Sequence, residues 1–144
     1  VNILILCTGN SCRSQMAEGY FRHFAGNRAR VFSAGVETHG LNPLAVQVMA
    51  EDGIDISDHR SKPVDEFLGM DFDYVITVCD SARERCPYFP GKTRRLHRSF
   101  PDPARATGSR EEILTAFRSV RDAIREFARE FMEEHLSDIR TGSR

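Results

Sequence analysis

A short apolar run, Ile3 to Leu6, leads into a compact polar loop and then into a helical pattern. A strand that feeds a helix in this way opens a βαβ unit, because the next parallel strand must be reached by a crossover over the face of the sheet. The rest of the chain keeps the alternation. Asn2 to Leu6 reads as a buried strand, and residues 14–26 place Ala17, Tyr20, Phe21 and Phe24 on one face of an amphipathic helix. Arg30 to Ser33 reads as a second strand, closed by Ala34-Gly35. Asn42-Pro43 starts a helix through Leu44, Ala45, Val48 and Met49, with Gly53 as its stop. Asp73 to Val78, rich in branched and aromatic residues, has the character of a central strand. Arg94 to His97 is a fourth strand, and its basic side chains suit a sheet edge. Glu111 to Leu136 carries Ile113, Leu114, Phe117, Val120, Ile124, Phe127 and Phe131 along one helical stripe. This order predicts a parallel sheet covered on both faces by right-handed crossovers, with Cys7 and Cys79 at its C-terminal edge. Ligands of open α/β folds bind at that edge.

The 144 residues suit one domain, expected over 1–136, with a polar tail over 137–144. Twenty Lys and Arg nearly balance 21 Asp and Glu, so bulk attraction to nucleic acid or to an anionic membrane is not implied. No apolar stretch approaches a membrane span, and the first apolar run lacks the basic flank of a signal peptide. A cytoplasmic location is the expectation. The chain begins at Val1, which leaves room for an initiator residue or upstream sequence.

Cys7-Thr8-Gly9-Asn10-Ser11-Cys12-Arg13, followed by Ser14, sits where the first strand becomes the first helix. Backbone N–H groups of such a loop can wrap a tetrahedral oxyanion, and the helix N-terminus adds roughly half a positive charge. Arg13 offers a rigid fork of donors to two oxygens. The same field favours the Cys7 thiolate, the nucleophilic form. Asn10 tolerates left-handed backbone and can hold the turn. Ser14 can cap the helix or donate to the Cys7 sulfur. Cys12 admits either passive packing or a protective disulfide with Cys7. The nucleotide-binding patterns G-x-x-x-x-G-K-[ST] and G-x-G-x-x-G are absent.

The remaining cysteines, Cys79 and Cys86, follow the central strand. The spacings C-x4-C and C-x6-C fit a zinc knuckle poorly, and no metal site is expected. The two thiols are either inert or parts of a relay, in which one attacks near Cys7 and the next attacks the first. Asp102, before Pro103, is either a turn residue or an acid that protonates an oxygen leaving the anion; nearby negative charge would favour its protonated form. The five histidines, His23, His39, His59, His97 and His135, show no ligand spacing and are expected in exposed or capping roles.

These residues resemble the thioredoxin-coupled arsenate reductases, which share the fold of low-molecular-weight protein tyrosine phosphatases. Cys7 to Gly19, C-T-G-N-S-C-R-S-Q-M-A-E-G, is similar to the first motif of that family. Ser33-Ala34-Gly35, Thr38-His39-Gly40 and Asn42-Pro43 continue the likeness, as do Val75 to Asp80 with Cys86-Pro87, and Phe100 to Ala104. The resemblance implies an α/β, three-layer fold: an open parallel four-stranded sheet of flavodoxin-like order with helices on both faces. It implies Cys7 as the nucleophile on arsenate, Arg13 as the oxyanion clamp and Asp102 as the proton donor. Thr8, Gly9, Asn10, Ser11, Cys12, Arg13 and Ser14 would form the oxyanion loop. Cys79 would attack the Cys7–arsenic adduct, releasing arsenite and leaving a Cys7–Cys79 disulfide. Cys86 would then move the disulfide outward. Electrons would come from thioredoxin or another cellular thiol, with no bound cofactor.

Two positions depart from the family pattern. Lys62 stands where some members place a further oxygen ligand for potassium, beside Glu18 and Ser33, so an ammonium in the cation's role and no potassium are expected. Arg98-Ser99 replaces a frequent Trp-Gly before the acid loop. The competing readings are a phosphatase, which needs only Cys7, Arg13 and Asp102, and a regulatory domain with an idle anion pocket.

Overall fold

The four strands β1 (Asn2–Cys7), β2 (Arg30–Gly35), β3 (Tyr74–Thr77) and β4 (Arg94–His97) form one sheet of order β2-β1-β3-β4. Every neighbouring pair is parallel. The computed structural model describes residues 1–87, 89 and 91–136. The tail expected over 137–144 lies outside the described residues. The register aligns Cys7 with Gly35, Leu6 with Thr77, and Thr77 with His97, so the C-terminal ends of all four strands share one edge. The chain leaves β1 toward β2 and returns on its other side as β3. The switch in direction therefore falls where Cys7 ends its strand.

Helices α1 (Arg13–Ala25) and α4 (Arg110–Phe131) cover one face. Tyr74 meets Phe131 there, and Phe21 meets both Phe127 and Phe131. Phe32, Phe67, Phe72 and Phe89 form an aromatic cluster on the opposite face, with Phe72 edge-on to the other three. Each fully buried side chain of this size contributes about 1.5–3 kcal/mol. The expected stripe of α4 is largely realised: Leu114, Phe117, Val120, Ile124 and Phe131 are buried, while Ile113 and Phe127 are partly covered. A capping box between Ser109 and Glu112 starts that helix. Beyond Phe131 the backbone widens into a π-type turn, Met132–Leu136, rather than continuing regularly.

Helix α2 (Pro43–Glu51) begins as expected, with Asn42 Oδ1 accepting from Leu44 N–H at 2.8 Å and Pro43 in the first turn. Its end is tied to α4 by Arg118 and Arg121, both on Glu51. The sequence pattern did not announce α3 (Asp80–Arg85), because the Arg- and Pro-rich stretch after it reads as a turn. The Cys79 sulfur caps this short helix, accepting from Ala82 N–H at 3.4 Å, a capping role outside the usual Ser, Thr, Asp and Asn set. Among the described residues no helix is long and apolar enough to cross a membrane.

Candidate active site

The loop from Thr8 to Cys12 turns the chain from β1 into α1, and the turn depends on Asn10. Its φ of 50° lies in the left-handed region that Asn tolerates better than most residues. The Asn10 side chain is fully buried and fully used. Its Oδ1 accepts from Lys62 N–H at 2.8 Å and from Gln15 Nε2 at 3.0 Å, and its Nδ2 donates to Ser14 Oγ at 2.7 Å and to Ser33 Oγ at 2.9 Å. These contacts set the direction of two chains of hydrogen bonds. Ser14 Oγ accepts from Asn10, so its own hydrogen points to Cys7 Sγ, 2.9 Å away. Ser33 Oγ likewise accepts from Asn10 and donates to Glu18 Oε1 at 2.6 Å. Of the two roles open to Ser14, the bond to Cys7 is the one formed; residue 12 occupies the N-cap position of α1.

Glu18 is a buried carboxylate, and a buried charge needs partners. Arg22 lies 2.9 Å from its Oε2, with His59 at 3.7 Å, and Lys62 Nζ is 3.8 Å from Oε1. Burial holds both His59 and Lys62 below their ordinary pKa values, and the Glu18 charge opposes this. The position where the family resemblance would put a further potassium ligand thus holds an ammonium, which also donates to the Arg60 carbonyl at 2.8 Å. His59 departs from the exposed or capping role expected for it: its side chain is only 10% exposed, and its Nδ1 lies 3.0 Å from Gln15 Oε1.

In front of the loop lies a cavity of about 610 Å³. Cys7, Thr8, Gly9, Ser11, Cys12 and Arg13 form its floor, Cys79 one wall and Asp102 the opposite rim. A Cβ at Gly9 would press on the His39 ring, so that half-exposed side chain would have to shift. Arg13 is held by a bond from NH1 to the Phe100 carbonyl at 3.2 Å, and its NH2 lies 3.7 Å from Asp102 Oδ2. Asp102 Oδ1 caps the following turn by accepting from Ala104 N–H at 3.0 Å. The charges nearest Asp102 are thus the Arg13 and Arg105 guanidinium groups, whereas sequence reasoning looked for negative charge beside it. Cys79 Sγ lies 3.2 Å from Oγ1 of Thr8, the residue after Cys7. Burial pushes the Cys12 thiol up to about 12, so it stays protonated, with its hydrogen toward Ser11 Oγ. All four cysteines are free.

Cys7, Arg13, Cys79 and Asp102 therefore meet in one cavity. Asn10 and Ser14 stand behind the loop with buried side chains, where they support it. Cys86 is elsewhere: half-buried at the far end of α3, it lines a different cavity. Sequence reasoning missed Gln15 and His39. A signal for Gln15 existed in the polar residues Gln15 and Glu18, three apart on a helix whose other face is core. His39 reaches the site through backbone bonds, His39 N–H to the Gly9 carbonyl and Glu37 N–H to that of Thr8, which no local pattern reveals.

The site is thus a buried thiol at a strand end, followed by a loop closed by an arginine, a set of groups whose chemistry suits tetrahedral anions. The chain belongs to the low molecular weight phosphotyrosine protein phosphatase family, whose model matches residues 2–140. It is 49% identical over 131 residues to an arsenate reductase of Bacillus subtilis (strain 168), covering 91% of this chain and 94% of that protein. A solved arsenate reductase in the oxidized state superposes with a TM-score of 0.80 at 29% identity, covering 92% of this chain and 97% of the other. The arginine phosphatase YwlE, solved as a Cys-to-Ser mutant with a phosphorylated active-site serine, gives 0.78 at 25% identity, covering 97% and 99%.

Proposed function

We propose that this protein reduces arsenate to arsenite by a relay through three of its thiols. Cys7 attacks arsenic as the thiolate, held by the Ser14 hydroxyl; Arg13 clamps two arsenate oxygens, and Asp102 protonates the oxygen that departs as water. The loop Thr8 to Ser14 carries the anion. Cys79 then attacks the Cys7 sulfur, the sulfur–arsenic bond breaks, and its electron pair stays on arsenic, which leaves as arsenite. Cys86 next attacks Cys79, freeing Cys7 and leaving a Cys79–Cys86 disulfide. Thioredoxin or another cellular thiol reduces that disulfide, with no bound cofactor, in the cytoplasm.

The observation that carries this reading is the second thiol in the nucleophile's own cavity, with Cys79 Sγ 3.2 Å from Thr8 Oγ1. Phosphoester hydrolysis has no use for it. The cavity rim supports the same conclusion. His39, Ser81, Ser99, Ala104 and Arg105 line it, and Phe100 is its one aromatic residue among the described residues, so a phenyl ring finds no pair of aromatic walls. The name shared by the curated relatives supports it as well.

The relay makes a structural demand. The caps of α3, Cys79 and Cys86, are seven residues apart, which at helical rise is roughly 10 Å. A disulfide needs Cα atoms about 4.4–6.8 Å apart, so α3 must unwind before the last exchange. The deciding assay is arsenate-dependent NADPH oxidation with thioredoxin and its reductase, with a phosphotyrosine analogue in parallel. Arsenate turnover is expected. Ester hydrolysis alone would favour the phosphatase, and anion binding with neither activity would favour a regulatory domain.

A further inference from the structure

We infer that the cavity beside Cys86 is a second ligand site, which takes a small thiol or disulfide bearing carboxylate groups and lets Cys86 exchange with it. The cavity encloses about 470 Å³, within the range of about 300–1,000 Å³ usual for small-molecule sites. Among the described residues it shares no lining residue with the cavity in front of Cys7. Val75 pairs with Arg95 and Thr77 with His97, so these four side chains stand on one face of the sheet edge, and Arg83 and Cys86 close over them from α3. The site is thus assembled by β3, β4 and the end of α3.

Its charge selects the ligand. Of the basic residues over 83–98, Arg83 and Arg95 line the cavity, whereas Arg85 pairs with Glu37 and Arg94 and Arg98 lie over Tyr74 and Phe100. Arg83 and Arg95 are exposed on the cavity rim. Arg95 NH2 donates to the Pro87 carbonyl at 3.0 Å, which fixes a positive charge next to the residue that follows Cys86. Asp80 approaches from α3, its Oδ1 3.0 Å from His97 Nε2, while His97 Nδ1 bonds Thr77 Oγ1 at 2.7 Å. An anionic molecule is drawn into such a site and a cationic one repelled. Once inside, it lies against the Cys86 sulfur. Burial raises the Cys86 thiol above its ordinary pKa and the Arg95 charge opposes this, so the arginine that draws the ligand also favours the reactive thiolate.

The exchange balances without any other reactant. With a disulfide RSSR, the Cys86 thiolate forms Cys86–S–SR and releases RS⁻. In turnover, RS⁻ attacks Cys86 of the Cys79–Cys86 disulfide and releases the Cys79 thiolate. A second RS⁻ then frees the Cys86 thiolate and leaves as RSSR, so two thiols supply the two electrons that arsenate consumes. The turnover role rests on the proposed relay; binding and exchange at Cys86 do not.

The test treats the reduced protein with oxidised glutathione, neutral hydroxyethyl disulfide and cationic cystamine, and maps the mixed disulfide at Cys86 by mass spectrometry. Each rate is normalised to that of the same reagent on the urea-unfolded chain. The expected result is a preference for oxidised glutathione over cystamine of about tenfold or more at low salt, shrinking at high salt. Arg83→Glu and Arg95→Glu, each checked for folding by circular dichroism, should each cut or reverse it. Equal normalised rates for all three reagents, or a preference untouched in both variants, would overturn the inference. So would charge-blind reaction with the small disulfides alongside salt-sensitive reduction by an acidic dithiol protein, which would make this face a protein dock. If the charge preference holds but arsenate never yields a Cys7–Cys79 disulfide, the relay fails and the site stands.

Discussion

Around Cys7 the polar side chains Asn10, Ser14, Gln15, Glu18 and Ser33 are all buried, whereas around Cys86 Arg83, Glu84 and Arg85 are exposed on a helix of six residues. The first region leaves no buried side-chain polar atom without a partner among the described residues. Such a network has one low-energy arrangement, which suits a loop that must meet an anion with its donors already aimed. The second region is held at its ends. Arg85 pairs with Glu37, and His97 reaches Asp80. Exposed pairs of this kind contribute little, and a helix this short has little stability of its own. One thiol sits in a rigid cradle and another on a segment that can leave its place, as the proposed relay requires.

The contrast can be broken from either side. The largest effect is expected from Cys7→Ser, which should lower arsenate turnover by roughly 10³-fold or more while the circular dichroism spectrum is retained. Appreciable turnover would remove Cys7 from the nucleophile's role. Next, Cys86→Ser should release one arsenite per enzyme and stop as a Cys7–Cys79 disulfide, detected by peptide mapping after alkylation. Continued multiple turnover with thioredoxin would show that the mobile half is not needed. Arg13→Lys keeps the charge but loses the fork, and kcat/KM for arsenate should fall by about 10²-fold. Unchanged kinetics would mean that the guanidinium serves only Phe100 and Asp102.

Asn10→Ala tests the rigid half through stability. It strands Lys62 N–H, removes the donor that orients Ser14 and Ser33, and places Ala at positive φ. A loss of about 2–3 kcal/mol is expected in urea unfolding. A much smaller loss would show that the network is less tightly determined than its geometry implies.

The smallest effect concerns acid sensitivity away from the site. The Tyr20 hydroxyl, at 2.6 Å, and Arg125 hold the Asp52 carboxyl below its ordinary pKa. A depressed folded-state pKa gives stability that is present above the unfolded value, about pH 4, and is lost as pH falls through the folded one. Asp52→Asn should therefore flatten acid unfolding slightly. A steeper acid transition in the variant would reverse the assigned sign.

What could be read in advance divides along the same line. The strands and long helices announce themselves because burial imposes nearly unbroken apolar runs on Ile3 to Leu6 and Tyr74 to Val78, and a helical period on the stripe of α4. The anion loop is local in sequence, so Cys7 to Ser14 carried its own chemistry. Helix α3 escaped notice because its cap is a cysteine and its Arg-rich end resembles a turn. The support for Asn10 escaped because it comes from Gln15, Ser33 and Lys62, brought together by tertiary contacts over as many as 52 residues. His59 misled for a related reason: its burial is decided by Gln15 and Glu18, which lie more than 40 positions away.

The Lys62 ammonium beside Glu18 has a consequence for the conditions under which the cradle holds its shape. A dissociable cation stabilises a site by an amount that rises and falls with its free concentration. A cation attached to the chain has a fixed local concentration, set by the length of its side chain and the rigidity of the segment that carries it. The Glu18 charge is thereby met by a group that belongs to the polypeptide and whose local concentration does not vary with the medium.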